Sequence, residues 1–253
     1  MKMKKILICS IFRNSEKNLD KYFQLLAKAV EKTKDVEFYY SAYENDSTDN
    51  TANKLHSMDW KSLFSSRYHI QTEKVGTKYY RSSTEADRVQ NLAKARNKAL
   101  FAKDFYKEVD YVLQLESDVS YKPSLFNQLI NFKTKHELDK VDIVSAASLQ
   151  SGISTGFVCR DIWATRRNSQ EEWGQFHANA STTPYGEYWS TFNGVILYKA
   201  EPFKNGIEWS AWNPRLEKWD CDTAVICENF RKEGYDKIFI NHQAIVTHWK
   251  QGF

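Results

Sequence analysis

Apolar positions in the first half of the chain follow two alternating periods. Lys4–Phe12 is rich in Ile and Leu with little polar interruption, the pattern of a buried parallel strand. Leu19, Tyr22, Phe23, Leu26, Ala29 and Val30 then recur at helical spacing. A second strand is predicted over Val36–Tyr43, which is dense in aromatic and β-branched residues. The polar run Glu44–Thr51 is full of side chains that turn the backbone and cap helices, and a helix over 51–58 is expected behind it. A short strand at 68–73 leads into a polar loop over 75–84. The helix predicted over Thr84–Lys103 has Val89, Leu92, Ala93 and Leu100 as its apolar face and Ser83 or Thr84 as its cap. A strand at 109–115, a helix at about 123–135 and a strand at 141–147 complete the series. Strands and helices alternating in this way predict an α/β fold with a mostly parallel central sheet and helices on both faces.

The second half reads differently. Short strands are expected at Gly194–Tyr198 and Lys237–Asn241, with a helix at roughly 221–233 between them. Seven of the 8 tryptophans lie here, and only Trp60 lies in the first half. Indole faces stack on sugars or bases and line concave pockets; they also fill the core of an irregular region.

Composition narrows the class. With 253 residues, no Pro/Gly/Ser-rich linker and only 4 prolines, a single continuous domain is the simplest organisation. At 42% hydrophobic and 15% aromatic the chain is globular in character. No apolar run is long enough to span a bilayer. The basic start Met1–Lys5 is followed by too short an apolar run for a signal peptide, which predicts a cytoplasmic protein. Cys9, Cys159, Cys221 and Cys227 have no metal-type spacing and read as free thiols in a reducing compartment. The net charge of +4 permits an anionic partner without demanding one. No obligate protein partner is evident.

Candidate chemistry gathers where predicted strands end, the place at which open α/β sheets collect ligands. Strand 109–115 runs into Glu116 and Asp118, one residue apart. Two neighbouring carboxylates repel, and a divalent cation relieves them; oxygen ligands suit Mg²⁺ or Mn²⁺, which accompany phosphate-bearing substrates. Two solvated acids at an ordinary strand-to-loop junction would look the same. Ser10, Phe12 and Arg13 close the first strand, where a nucleotide could meet backbone and side-chain donors. Glu44 or Asp46 closes the second, where a carboxylate can take ribose hydroxyls, with Asp49 capping the helix behind. Arg88 and Arg96 are separated by roughly 12 Å of helix and cannot grip one atom. One of them can reach a diphosphate or base, and Arg96 with Asn97 is the favoured pair. His248 is either a structural histidine or a further metal ligand, and Lys250 beside Trp249 could help hold a diphosphate. Asp222 opens the predicted helix at 221–233, as a cap or as a group that touches an acceptor hydroxyl. A Walker A loop, GxGxxG, GxSxG and HExxH are all absent from the sequence.

Taken in order, several short stretches resemble the GT-A glycosyltransferases, and among them the fungal capsule-associated α-1,3-mannosyltransferase family with its bacterial and viral relatives. They are Tyr43–Thr51, Arg88–Asn97, Leu115–Val119, Asp161–Arg166, Phe192–Val195, Cys221–Asp222 and the closing Gly234–His248. Each is degenerate, and the ordered set is far more specific than any member. The resemblance implies a UDP- or GDP-sugar donor whose diphosphate is bridged by Mn²⁺ or Mg²⁺. It implies that Glu116-x-Asp118 is the metal motif, with Asp118 the direct ligand and His248 a third. It further implies that Glu44 and Arg96 hold the nucleoside end. The chain differs from the fungal proteins in lacking an anchor or secretory signal, and in having Asp222 where they tend to carry Glu.

The expected reaction is transfer of a hexosyl or pentosyl group to a hydroxyl acceptor, with residues 1–120 as the nucleotide-binding half and 121–253 as the acceptor-binding half. For an inverting transfer Asp222 is the first choice of base, followed by Asp220 and Glu187. A carbohydrate acceptor is the leading reading. Transfer to a hydroxymethylated DNA base flipped into an aromatic pocket is an alternative, and a non-catalytic sugar- or nucleotide-binding module is a third.

Overall fold

Strand β1 (Lys4–Phe12) shows how the sheet is built, because its side chains alternate between two cores. Ile6, Ile8 and Phe12 join one apolar cluster and Leu7, Cys9 and Ile11 the other, so both faces are covered. The computed structural model describes residues 3–80, 82–134, 141–149, 161–174 and 183–249. Helix α1 (Glu16–Lys32) buries Leu19, Tyr22, Leu26 and Ala29, the stripe expected from the sequence. Strand β2 (Val36–Asn45) is followed by α2 (Thr51–Ser57), α3 (Trp60–Phe64) and β3 (Tyr68–Glu73). Helix α4 (Ala86–Phe101) buries Val89, Ala93, Ala99 and Leu100 on the opposite face of the sheet from α1. Next come α5 (Phe105–Glu108), β4 (Tyr111–Leu115), β5 (Val119–Tyr121) and α6 (Leu125–Ile130). The second half supplies β6 (Ile143–Leu149), β7 (Tyr185–Glu187), β8 (Val195–Lys199) and α7 (Glu201–Lys204). It closes with β9 (Trp212–Asn213), β10 (Lys218–Trp219), α8 (Asp222–Lys232) and β11 (Ile238–His248).

Among the described residues one sheet runs in the order β3-β2-β1-β4-β8-β6-β11-β5, with β7 also paired to β11. From β3 to β4 it is parallel, as expected. Beyond β4 it is mixed: β8 is antiparallel to both β4 and β6, and β6 and β11 are parallel. The carboxyl ends of β1, β2, β4, β6 and β11 therefore share one rim with the start of β8. Strands from both halves of the chain build this one sheet.

Several boundaries differ from the sequence expectation. Helix α4 starts at Ala86 with Glu85 in the cap position, because Ser82 and Thr84 are engaged with each other and with the Glu85 side chain. Helix α6 ends at Ile130, where the Asn131 amide bonds back to Asn127 and Leu129. The segment after α2 forms α3, capped by Asp59 and anchored by Trp60, which stacks on Tyr40. The strand expected at Lys237–Asn241 runs on to His248 as β11, with its register shifted between Asn241 and Ile245.

Candidate active site

Leu115 is the last residue of β4, and Glu116 leaves the strand with its amide bonded to the Gly194 carbonyl at 2.9 Å. Gly194 sits just before β8, so an antiparallel neighbour from the second half meets the acids of the first. Beyond the turn, β5 pairs with the end of β11, placing Val119 opposite His248. The Trp249 amide donates to the Asp118 carbonyl at 2.8 Å and closes the junction. As a result His248 Nδ1 lies 3.5 Å from Asp118 Oδ1, although 130 positions separate the two residues in sequence. The Nε2 edge of the ring is buried without a hydrogen-bond partner. It faces Gly194, where an added Cβ would lie 3.1 Å from Cε1 and 3.3 Å from Nε2. Asn193 and Gly194 both have positive φ, 60° and 88°, which lets the backbone pass this close.

Glu116 does not face the same way as Asp118. Its Oε1 accepts from Arg96 Nη1 at 2.8 Å, and Arg96 Nε donates to Asp222 Oδ2 at 2.7 Å. The guanidinium is 3% exposed, with the rings of Phe192 and Trp209 at 4.9 and 5.1 Å from its carbon. Burial works against its charge, but Glu116 and Asp222 more than offset this and hold the Arg96 pKa above its ordinary value. Glu116 is raised, chiefly by burial and then by Asp118 and Asp222, with Arg96 opposing. Asp161 is raised by burial and by Asp222, while His248 and Arg96 pull it down. The sequence reading did not single out Asp161 as a site residue, although it opens one of the ordered stretches. An acid whose charged neighbours lie far off in the chain carries no local signal.

The structure places the other candidates as follows. Glu44 is 2% exposed, and its Oε1 accepts from the Ser47 amide at 2.8 Å. Asp46 is taken up by the loop that crosses above it, accepting from the amides of Val75, Gly76 and Thr77 at 2.9 Å each. Burial alone would raise its pKa; the bonds from Thr77, Asn45 and Gly76 hold it well below the usual carboxylate range. Asp46 thus acts as a loop anchor, and its oxygens are spent on backbone. Arg13 binds the same loop through the carbonyls of Thr77 and Lys78. Asp49 accepts from the Thr51 and Glu16 amides, but the cap position of α2 is Asn50, so Asp49 stands one residue before the expected cap.

Ser10 is buried with its hydroxyl 2.6 Å from that of Tyr22, and Phe12 packs edge-on against the same ring, so both side chains belong to the core. Arg88 donates to the Ser83 carbonyl at the start of α4, away from Arg96. Asn97 exchanges two hydrogen bonds with the Trp209 backbone and so holds that indole under Arg96. Asp220 accepts both Arg166 nitrogens, at 2.9 and 2.6 Å, and also Asn213 and the Cys221 amide. Burial opposes its charge, but those partners lower its pKa, which leaves no lone pair suited to a base. Glu187 is exposed and pairs with Phe239 near the start of β11, at the opposite end of that strand from His248. Glu187 is therefore not brought to the rim. Lys250 and Cys159 lie outside the described residues. Cys9, Cys221 and Cys227 are buried free thiols.

A cleft of about 340 Å³ between the loop at Gly76–Tyr80 and α4 is lined by Asp87, Gln90, Asn91 and Lys94. A larger one of about 840 Å³ runs along the edge strand β3 and holds none of the candidate residues. Among the described residues no group of three or more His, Cys, Asp and Glu side chains is assembled as a metal site. No helix among them is long and apolar enough to cross a membrane.

The family model described as cryptococcal mannosyltransferase 1 matches residues 5–230. The chain belongs to this family. No curated protein matches the sequence. Among solved structures, residues 1–349 of S. aureus TarS in complex with UDP-GlcNAc align with 99% of this chain and 60% of theirs, at 16% identity and a TM-score of 0.56. The mannosyltransferase PcManGT from Pyrobaculum calidifontis, solved with GDP-Man and Mn²⁺, aligns with 99% of this chain and 58% of its own, at 9% identity and a TM-score of 0.56. The chain thus spans about 60% of the length of these structures. At such identities the likeness is one of fold, and that fold is GT-A. In this family member Leu115–Val119, Phe192–Val195 and the end of Gly234–His248 meet at one rim, and Arg96 ties Cys221–Asp222 to Glu116 there.

Proposed function

We propose that this protein transfers a sugar from a UDP- or GDP-sugar to a carbohydrate hydroxyl, with a divalent cation at the rim. The observation that carries the proposal is the Asp118–His248 pair at the carboxyl end of β4. A separation of 3.5 Å is long for a hydrogen bond and suits two donors of one small cation. With Nε2 unpartnered, the ring's polar contact is Asp118. A carboxylate and an imidazole would suit Mn²⁺ or Mg²⁺ accompanying a phosphate-bearing donor. A cation bound there supplies Lewis-acid neutralisation of the diphosphate leaving group.

The chain's own groups do the rest. Glu116 is a positioning residue: it draws Arg96 toward the rim and leaves Asp118 as the open carboxylate. Arg96 Nε donates to Asp222 Oδ2 and orients that carboxylate. Asp222 is the first residue of α8, where the helix N-terminus also favours a negative charge. For an inverting transfer it is the base that accepts the acceptor hydroxyl proton. The first half would bind the nucleotide and the second the acceptor.

A thermal-shift panel of UDP-, GDP- and CMP-sugars with and without Mn²⁺ tests the reading. Asp118→Ala is expected to abolish the metal-dependent part of the shift, and His248→Ala to reduce it. Asp222→Asn is expected to lower kcat by about 10²–10⁴-fold with donor affinity retained. A full metal-dependent shift in Asp118→Ala would overturn the proposal.

A further inference from the structure

We infer that the β9–β10 hairpin is a docking platform for a neutral oligosaccharide, the acceptor of the transfer proposed above. The inference rests on that reading for the word acceptor, but not for the binding itself. Trp212 and Trp219 are directly opposite each other across the hairpin, so their side chains share one face. Both are 44% exposed, an uncommon state for so large an apolar side chain. Their rings meet at 5.3 Å and 75°, forming an open corner in place of a closed stack. A second indole pair lies on the neighbouring segment, where Trp173, 48% exposed, stacks on Trp163 at 5.3 Å.

The platform is held from beneath. Asn213 follows Trp212 in the strand and is fully buried, donating to Asp220 and accepting from the Arg215 and Leu216 amides. Arg166 grips Asp220, and Arg215 grips Glu228. Lys218 pairs with Glu172, and Arg215 reaches the Ser169 carbonyl, so the two tryptophan-bearing segments are tied together. A hairpin anchored by this many buried polar contacts presents its indoles in a fixed arrangement, which lowers the ordering cost of a ligand.

Charge selects the occupant. Residues 161–174 and 209–222 contain four cations (Arg166, Arg167, Arg215, Lys218) and six acids (Asp161, Glu171, Glu172, Glu217, Asp220, Asp222). Three of the four cations are already in ion pairs. A nucleic acid needs unpaired cations facing its phosphates; with Arg166, Asp220 and Asp222 buried, the charges left here are Arg167, Arg215 and Lys218 against Asp161, Glu171, Glu172 and Glu217, which give no cationic excess. A pyranose presents apolar C–H faces that meet the negative face of an indole, and hydroxyls that meet a polar rim. The hairpin leads directly into α8, with Trp219 three positions before Asp222.

The test is a fluorescence titration of the intact chain, without donor, against mannotetraose, cellotetraose, xylotetraose and a short oligothymidylate. At least one sugar is expected to shield the exposed indoles from acrylamide quenching in the unaltered protein. Trp212→Ala/Trp219→Ala is expected to weaken that sugar's binding at least about tenfold with the unfolding midpoint preserved. If the double variant does not fold, shielding in the unaltered protein decides alone. The inference is overturned if no sugar binds, if binding is unchanged in the folded double variant, or if the oligothymidylate shields these indoles in preference. A donor shift without sugar binding would sink the platform and keep the transfer reading. Sugar binding without any donor shift would do the reverse.

Discussion

Gly194 and His248 show how one backbone position sets a side chain of the candidate site. Gly194 has φ +88°, and an added Cβ would lie 2.8 Å from Val119 Cγ1 as well as against the imidazole. Gly194→Ala is therefore expected to cost about 1–3 kcal/mol of stability and to push the ring off its place beside Asp118. Urea unfolding measures the first effect, and loss of the Mn²⁺-dependent thermal shift the second; a variant unchanged in both would show that the contact is not tight. At this scale the position of Glu116 and Asp118 just past β4 was legible, because an apolar strand ending in two acids is a local pattern. It did not reveal that Glu116 and Asp118 face different partners. Arg96 read as a nucleotide contact, whereas it is a buried cation shared by Glu116 and Asp222. An arginine in an amphipathic helix looks alike in both roles until its neighbours are known.

Elements are joined at the rim by side chains spent on backbone. Asp46 collects three consecutive amides of the 75–77 loop from a left-handed position, φ 55°. Asp46→Asn keeps a residue that tolerates that φ and removes one set of acceptor lone pairs. The amides of residues 75–77 are expected to lose about tenfold or more in protection from hydrogen exchange; unchanged protection would mean that the loop is held by other contacts. The acid-rich run at 44–51 was legible as turn and cap chemistry, but not which acid served which amide. The helical stripes of α1 and α4 were legible because burial repeats along one face. Strand β5 was not, since three residues carry too little periodicity, and yet its pairing with β11 is what delivers His248.

For the molecule as a whole, the carboxylates whose pKa the fold lowers set the loss of stability in acid, while Glu116 and Asp161, which burial raises, act in the opposite sense. Asp46, Glu73, Asp220 and Glu228 are all held below their ordinary values. A carboxylate lowered in the folded state binds protons less readily there than when unfolded, so its stabilisation is present above its unfolded pKa, about 4. It is lost as pH falls through the folded value. Urea midpoints are expected to hold between pH 7 and 5 and to drop below about pH 4, with a smaller drop in Asp220→Asn. A midpoint that rises in acid would contradict the assignment. By itself the sequence determined the alternation of strand and helix, the two apolar faces of β1 and the acids at the end of β4, because each is a pattern repeated or closed within a few residues. Only the tertiary structure decided that β8 pairs with β4 and β11 with β5, that Arg96 lies between Glu116 and Asp222, and that Asp118 meets His248. Those are pairings across 20 to 130 positions, set by which strand edges find each other in the folded sheet, and short-range periodicity carries no record of them.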